Sequence, residues 1–173
     1  EPSGEAHGPE ATAYLSVDFQ TVSIAGIEEA NLRAIVERAL VEPEAVAAAP
    51  YTGALAVTSA EDREMGVIVL DFGARTTSAV WFAGGVLEHL AVVAEGGQHI
   101  TARIARSLGL DGANAERIKL RHGSVFDRLL NDEPVTSDLA GDKEPVFKSQ
   151  LNGVIRERLG AILLKLKAKL ELA

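Results

Sequence analysis

Cysteine is absent from the 173 residues, and methionine and tryptophan occur once each. Without thiols there is no disulfide staple, no cysteine-based zinc site and no cysteine nucleophile. The four histidines (His7, His89, His99, His122) show no metal-ligand spacing, so no zinc site is expected. No apolar run approaches the roughly 18 residues that a bilayer span requires. The first dozen residues are rich in Glu, Pro and Gly and hold no apolar stretch of a secretory leader. A Gly-x-Ser-x-Gly nucleophile elbow is also missing. Positive charge is in short supply: 17 Lys and Arg against 25 Asp and Glu give a net charge of −8. That balance argues against nucleic-acid binding driven by phosphate neutralisation. What is present is 47% hydrophobic and 24% charged, long enough to bury a core as one domain or two small subdomains. The expectation is a soluble, cytoplasmic α/β protein.

The charge is unevenly placed, with 14 acids and 4 bases in residues 1–90 against 11 acids and 13 bases in 91–173. The second half therefore has room for a basic patch facing an acidic partner. Residues 1–12 read as a flexible lead-in. From Tyr14 to Ile24, Leu15, Val17 and Phe19 alternate with polar residues, the pattern of a half-buried strand. Leu32, Ile35, Val36, Ala39 and Leu40 form one apolar helical stripe over 27–40. Pro50-Tyr51-Thr52-Gly53 reads as a punctuated loop, followed by a short helix-compatible segment ending in the polar Ser59–Glu64. Val67-Ile68-Val69-Leu70 is a continuous apolar run, as in a strand covered on both faces. It ends in a turn over 71–77. Strands over 77–82 and 86–93, joined by Ala83-Gly84-Gly85, complete an antiparallel meander. Gly96-Gly97 closes it. Helices follow from Ile100 to Leu108, from Asn114 to Leu120 and, after an exposed loop or hairpin over 131–145, from Leu151 to Leu170.

A strand that delivers Asp71 into the small-residue turn Phe72-Gly73-Ala74-Arg75-Thr76 is one way to hold phosphate. Successive backbone N–H groups converge on an anion, and the Asp holds a metal ion, usually through water. Hairpin geometry alone also accounts for Asp and Gly at such a place. In the same way, Glu116 and Lys119 read equally as an ordinary i, i+3 helical pair.

The order of segments carries more information than any one of them. Pro50-Tyr51-Thr52-Gly53-Ala54-Leu55-Ala56, Asp62 through Gly73, Gly84 through His89, Gly96-Gly97-Gln98-His99-Ile100-Thr101 and Ala115-Glu116-Arg117-Ile118-Lys119 resemble the FtsA family of bacterial cell-division proteins. Asn31–Arg38 and Val154-Ile155-Arg156-Glu157-Arg158 add to the resemblance, which runs from about 25 to 165. It implies an actin-like ATPase (ribonuclease H-like) lobe: a mixed sheet with a three-stranded antiparallel meander, plus helices. Residues 13–64 would end a first lobe and 65–173 form a second, with a partner-binding subdomain at about 98–165.

The resemblance implies ATP and Mg2+ as ligands. Asp71 would sit by the metal. The backbone amides of Gly73, Ala74 and Arg75 and the Thr76 hydroxyl would face the phosphates. Glu116 and Lys119 would approach ribose and adenine, and Gly97 would line the cleft. It further implies docking of the acidic, apolar FtsZ C-terminal peptide, with Arg158 as the principal contact and Lys148 and Arg156 beside it. Arg117, Arg121, Arg128 and Lys143 belong to the same basic set, whereas a second basic position of the family falls on Glu144. Other divisome proteins, self-association into actin-like filaments and a place at the cytoplasmic face of the inner membrane at the division site complete the family picture. Membrane attachment would come through a segment outside this sequence.

Two departures stand out: Gly73-Ala74-Arg75 where the family carries three glycines, and Arg103 where it often carries a carboxylate. They and the shortness of the chain lead to an expectation of weak or no ATP binding here, and at most weak ATPase activity. A pilus-assembly type of actin-like adaptor and a structural scaffold with a vestigial cleft are the alternatives.

Overall fold

The computed structural model describes residues 21–126, 132–135 and 145–171. In chain order these form α1 (Gly26–Arg38), α2 (Ala49–Val57), α3 (Ala60–Met65), β1 (Val67–Phe72), β2 (Thr77–Ala83), β3 (Val86–Val93), α4 (Gly97–Ser107), α5 (Gly112–His122) and α6 (Lys148–Glu171). The expected meander is present, in the order β1-β2-β3 with both pairings antiparallel. Gly84 and Gly85 make its tight turn at φ of 55° and 77°, a left-handed pair that fits the twist of a two-residue hairpin and favours glycine. Register is set by Asp71 opposite Ser78 and Phe72 opposite Thr77, with an irregularity between Trp81 and Phe82.

Each sheet face has its own cover. On one, Ala79, Ala91 and Val93 pack against Ile162 and Leu166 of α6. On the other, Val80 and Phe82 meet Ala54 of α2, with the Tyr51 and Phe82 rings 6.1 Å apart. A third cluster, Ile104, Ala115, Ile118, Leu151 and Ile155, ties α4, α5 and the first half of α6 into a helical lobe. Val135 and Val146 join this cluster from a short antiparallel contact, in which Val135 N–H donates to Val146 O at 2.7 Å. Among the described residues no helix is long and apolar enough to cross a membrane.

Several expectations are corrected. Residues 50–53 are helical, not a loop: Pro50 sits in the first turn of α2, where its missing N–H costs nothing and its fixed φ suits the helix. The polar stretch after α2 is α3, started by a capping box between Ser59 and Asp62. Among the described residues β1 is an edge strand, and it is not covered on both faces. Ile68, Leu70 and Phe72 are 45–52% exposed, because α6 lies over β2 and β3. α1 forms with no residue buried, so its apolar stripe is uncovered, and Ala39 and Leu40 lie beyond its end. The turn is shorter than 71–77, because Asp71 and Phe72 belong to β1. Most of the strand expected over 14–24 lies outside the described residues; Thr21–Ala25 are described and are not strand.

Candidate functional site

The turn between β1 and β2, residues 73–76, is held from two sides. Gly73 N–H donates to Thr76 O at 2.9 Å and closes the turn. The carbonyls of Gly73 and Ala74 then accept from Gly97 N–H at 3.0 Å and Gln98 N–H at 2.8 Å. These two donors belong to the first turn of α4, which has no intrahelical acceptors of its own. Gly96 N–H is met by His99 Nδ1 at 3.1 Å. The Thr77 hydroxyl, fully buried, donates to Glu95 O at 2.7 Å. Turn and helix start are therefore one backbone-bonded unit.

α5 supplies the opposite wall. Its Asp111 cap bonds Asn114 N–H at 2.8 Å, and its buried Ala115 and Ile118 fix which side faces α4. Lys119 Nζ is thereby brought to Gly97 O at 3.3 Å, Thr101 Oγ1 at 2.9 Å and Glu116 Oε2 at 2.7 Å. Thr101 Oγ1 also contacts Glu116 Oε2 and lies 3.0 Å from Gly97 O. Burial pushes the Glu116 carboxyl up. The hydrogen bonds from Lys119 and Thr101, with the ammonium charge, outweigh it and hold the group below its usual range.

The two walls enclose a cleft of about 640 Å³, lined by Phe72, Gly73, Ala74, Gly97, Gln98, Thr101, Glu116 and Lys119 among others. Five of the expected nucleotide residues thus meet at one place: Gly73, Ala74, Gly97, Glu116 and Lys119. Asp71, Arg75 and Thr76 are exposed beside it and do not line it. Gly73 N–H, expected to face an anion, is taken by Thr76 O. Among the described residues no backbone carbonyl takes the N–H groups of Ala74 or Arg75. Neither residue has a positive φ; the only described non-glycine that does is Leu40. Replacing two family glycines therefore costs this turn no left-handed strain.

A phosphate group lying over the turn would have the Ala74 and Arg75 amides, the Arg75 guanidinium and the Thr76 hydroxyl as its candidate donors. Among the described residues no group of three or more His, Cys, Asp or Glu could hold a metal ion, so a magnesium ion at the turn would rest on Asp71. One carboxylate completed by water and phosphate oxygens suits that ion.

The expected peptide-binding cations lie apart from one another. Arg156 and Arg158 are two positions apart on α6, so about 200° separates them around the helix axis and they cannot share a face. Arg158 Nη2 lies 3.1 Å from Glu95 Oε2, and Lys165 Nζ lies 2.5 Å from Glu95 Oε1. Lys148 bonds Glu133 at 2.6 Å, and Arg156, like Arg121, is also engaged. Arg117 donates to Asn114 Oδ1 at 2.6 Å. Arg103 pairs with Glu157 at 2.9 Å. Arg128, Lys143 and Glu144 lie outside the described residues. Sequence reasoning gave no role to Thr101 or Glu95. Thr101 was visible only as part of a string, and Glu95 carried no signal except its place before Gly96.

A sequence profile described as "Cell division protein FtsA" matches residues 68–158. The FtsA protein of Agrobacterium fabrum is 31% identical over 151 residues, covering 84% of this chain and 34% of that protein. Those of Streptococcus pneumoniae and Escherichia coli K12 are each 31% identical, covering 82% and 77% of the chain. The chain thus spans about a third of the length of the relatives it matches. In fold it is similar to MreB5 of Spiroplasma citri bound to ADP, with TM-score 0.67 and 15% identity over 84% of this chain and 48% of that one. It is also similar to a chain of the PilM-PilN type IV pilus biogenesis complex, with TM-score 0.56 and 23% identity over 83% of this chain and 36% of that one. The meander with its flanking helices is accordingly an actin-like fold, and the profile match over more than half of its length places this chain in the FtsA family of cell-division proteins.

Proposed function

We propose that the chain is the part of an FtsA-type adaptor that carries one wall of a nucleotide cleft and the docking lobe for the FtsZ C-terminal peptide. Residues 65–173 are its second actin-like lobe. The observation that carries the reading is a convergence: Gly73 and Ala74 of the turn and the Glu116–Lys119 pair, some 40 positions apart, line one cleft. ATP is the ligand proposed for it, with its phosphates over the Ala74 and Arg75 amides, the Arg75 guanidinium and the Thr76 hydroxyl. Asp71 is the residue that would hold Mg2+. Bound magnesium would offset phosphate charge. The chain's own residues orient the ligand: Lys119, fixed by Gly97 O, Thr101 and Glu116, keeps the far wall in register with the turn.

Docking is assigned to the lobe of α4, α5 and α6, with Arg158 as the principal cation and Lys148 and Arg156 as separate, secondary contacts. Linking FtsZ to the membrane and to other divisome proteins is the role proposed for the whole protein.

Two titrations test the reading. In an amide NMR titration with Mg-ATP, shifts are expected at 73–76, 97–98 and 116–119; shifts confined to other elements would overturn the cleft assignment. A fluorescein-labelled FtsZ tail peptide should bind and lose affinity on Arg158→Ala. No binding near millimolar concentration would remove the docking assignment.

A further inference from the structure

In the free chain, Arg158 already has a carboxylate beside it. Glu95 ends the link from β3 and reaches across to α6, where Arg158 and Lys165 stand one heptad apart on the same face. The two contacts differ in quality. Lys165 donates a hydrogen bond to Glu95 Oε1 at 2.5 Å. Glu95 Oε2 is buried and receives no aligned hydrogen bond among the described residues, although Arg158 Nη2 is only 3.1 Å away. The Glu95–Arg158 contact is therefore charge attraction without good hydrogen-bond geometry. A carboxylate arriving in the plane of the guanidinium makes two parallel charge-assisted bonds, which this internal partner cannot do while Lys165 holds it.

We propose that Glu95 is an intramolecular competitor for the acidic partner: it occupies Arg158 in the free chain and yields it when an acidic peptide docks, staying paired to Lys165. The inference rests on the docking role of Arg158 proposed above. The displacement leaves the fold intact, because the anchor of this segment is the backbone: Glu95 O accepts from the Thr77 hydroxyl whatever its side chain does. The charged groups that face Glu95 are Arg158 and Lys165 from α6; the titratable group facing it from α4 is His99, whose Nδ1 accepts from Gly96 N–H. With Arg158 withdrawn, Lys165 still balances its charge.

Binding of the labelled tail peptide to the full chain, read by fluorescence anisotropy, tests this with four variants, each checked for folding by circular dichroism. Glu95→Gln should tighten binding roughly two- to fivefold, the range for loss of one partly exposed ion pair. Glu95→Asp, which keeps the charge but draws the carboxylate back, should also tighten it. Glu61→Gln on α3 changes the net charge equally at an exposed, distant place and should leave affinity unchanged. Arg158→Ala should weaken binding in the native and Glu95→Gln backgrounds to a common level. If Glu95→Gln binds no tighter than the native chain while Arg158→Ala still weakens binding, the competitor is overturned and the docking role stands. If Arg158→Ala has no effect in either background, the docking role falls and the competitor falls with it.

Discussion

Gly96 leaves no room for a side chain beside Gly73: a Cβ at position 96 would lie 2.3 Å from the Gly73 carbonyl oxygen. The same carbonyl accepts from Gly97 N–H, so the contact joins the turn at 73–76 to the start of α4. Gly96 is in extended backbone, φ −166°, so its glycine is required by space and not by conformation.

The first prediction follows directly. In Gly96→Ala the turn and α4 must separate, since the atoms met are backbone and cannot rotate away. The expected loss is about 1–3 kcal/mol, the range for overpacking, read by urea denaturation. Amide exchange at Gly97 and Gln98 should speed up more than exchange in the centre of β2. An unchanged denaturation midpoint would show that the two segments do not pack as described.

Acid should weaken the fold, and the sign follows from which groups are shifted. Glu116 is held below its usual value of 4.5 despite opposing burial, by Lys119 and Thr101. Glu95 is lowered by its hydrogen bond from Lys165, against burial, with Arg158 adding to it. A folded-state value below the unfolded one means that the unfolded chain binds protons more readily as pH falls. The contribution is complete above about 4.5 and disappears as pH drops through the lower folded values. Thermal midpoints measured from pH 7 to pH 3 should fall most steeply below about 4.5. In Glu116→Gln the fall should be shallower, with the difference from the native chain shrinking towards low pH.

The meander was legible because local chemistry specified it. Gly84-Gly85 suits only a tight turn, and Thr77–Phe82 is rich in strand-forming side chains. α6 was legible from a stripe sustained over many turns. Residues 50–53 were misread because Pro50 signals a break in most settings and a helix start in one, and the four residues alone do not distinguish the two. Coverage of β1 could not be read, because an apolar run reports what a strand is able to bury, whereas its neighbours decide what is buried. The site divided in the same way. Asp71 to Thr76 and Glu116 with Lys119 were visible as segments. Glu95 and Thr101 make contacts with charged residues on other elements, Arg158 and Lys165 for one and Glu116 and Lys119 for the other.

The sheet's hold on α6 gives a third prediction. Ile162 is fully buried against Ala79, Ala91 and Val93, whereas Leu164, two positions on, is 69% exposed. Ile162→Ala should cost about 2–5 kcal/mol through lost burial and the cavity left behind. Leu164→Ala should stay within about 0.5 kcal/mol. Chemical denaturation of both variants decides the matter, and equal effects would mean that α6 faces the sheet with another side.

The Thr101 hydroxyl has one proton and two acceptors in reach, Gly97 O and Glu116 Oε2, and it accepts from Lys119. It therefore couples α4 to α5 only as part of a set. Thr101→Val keeps the shape and removes the hydroxyl, and Lys119→Met keeps most of the stem and removes the charge. Each alone should cost about 1–2 kcal/mol, since each leaves a partly buried partner short of a bond. Together they should cost less than the sum, because the Lys119–Thr101 bond is lost only once. A double-mutant cycle in urea should return a coupling of at least about 0.5 kcal/mol. Strict additivity would mean that the Lys119–Thr101 bond contributes nothing to holding α4 against α5.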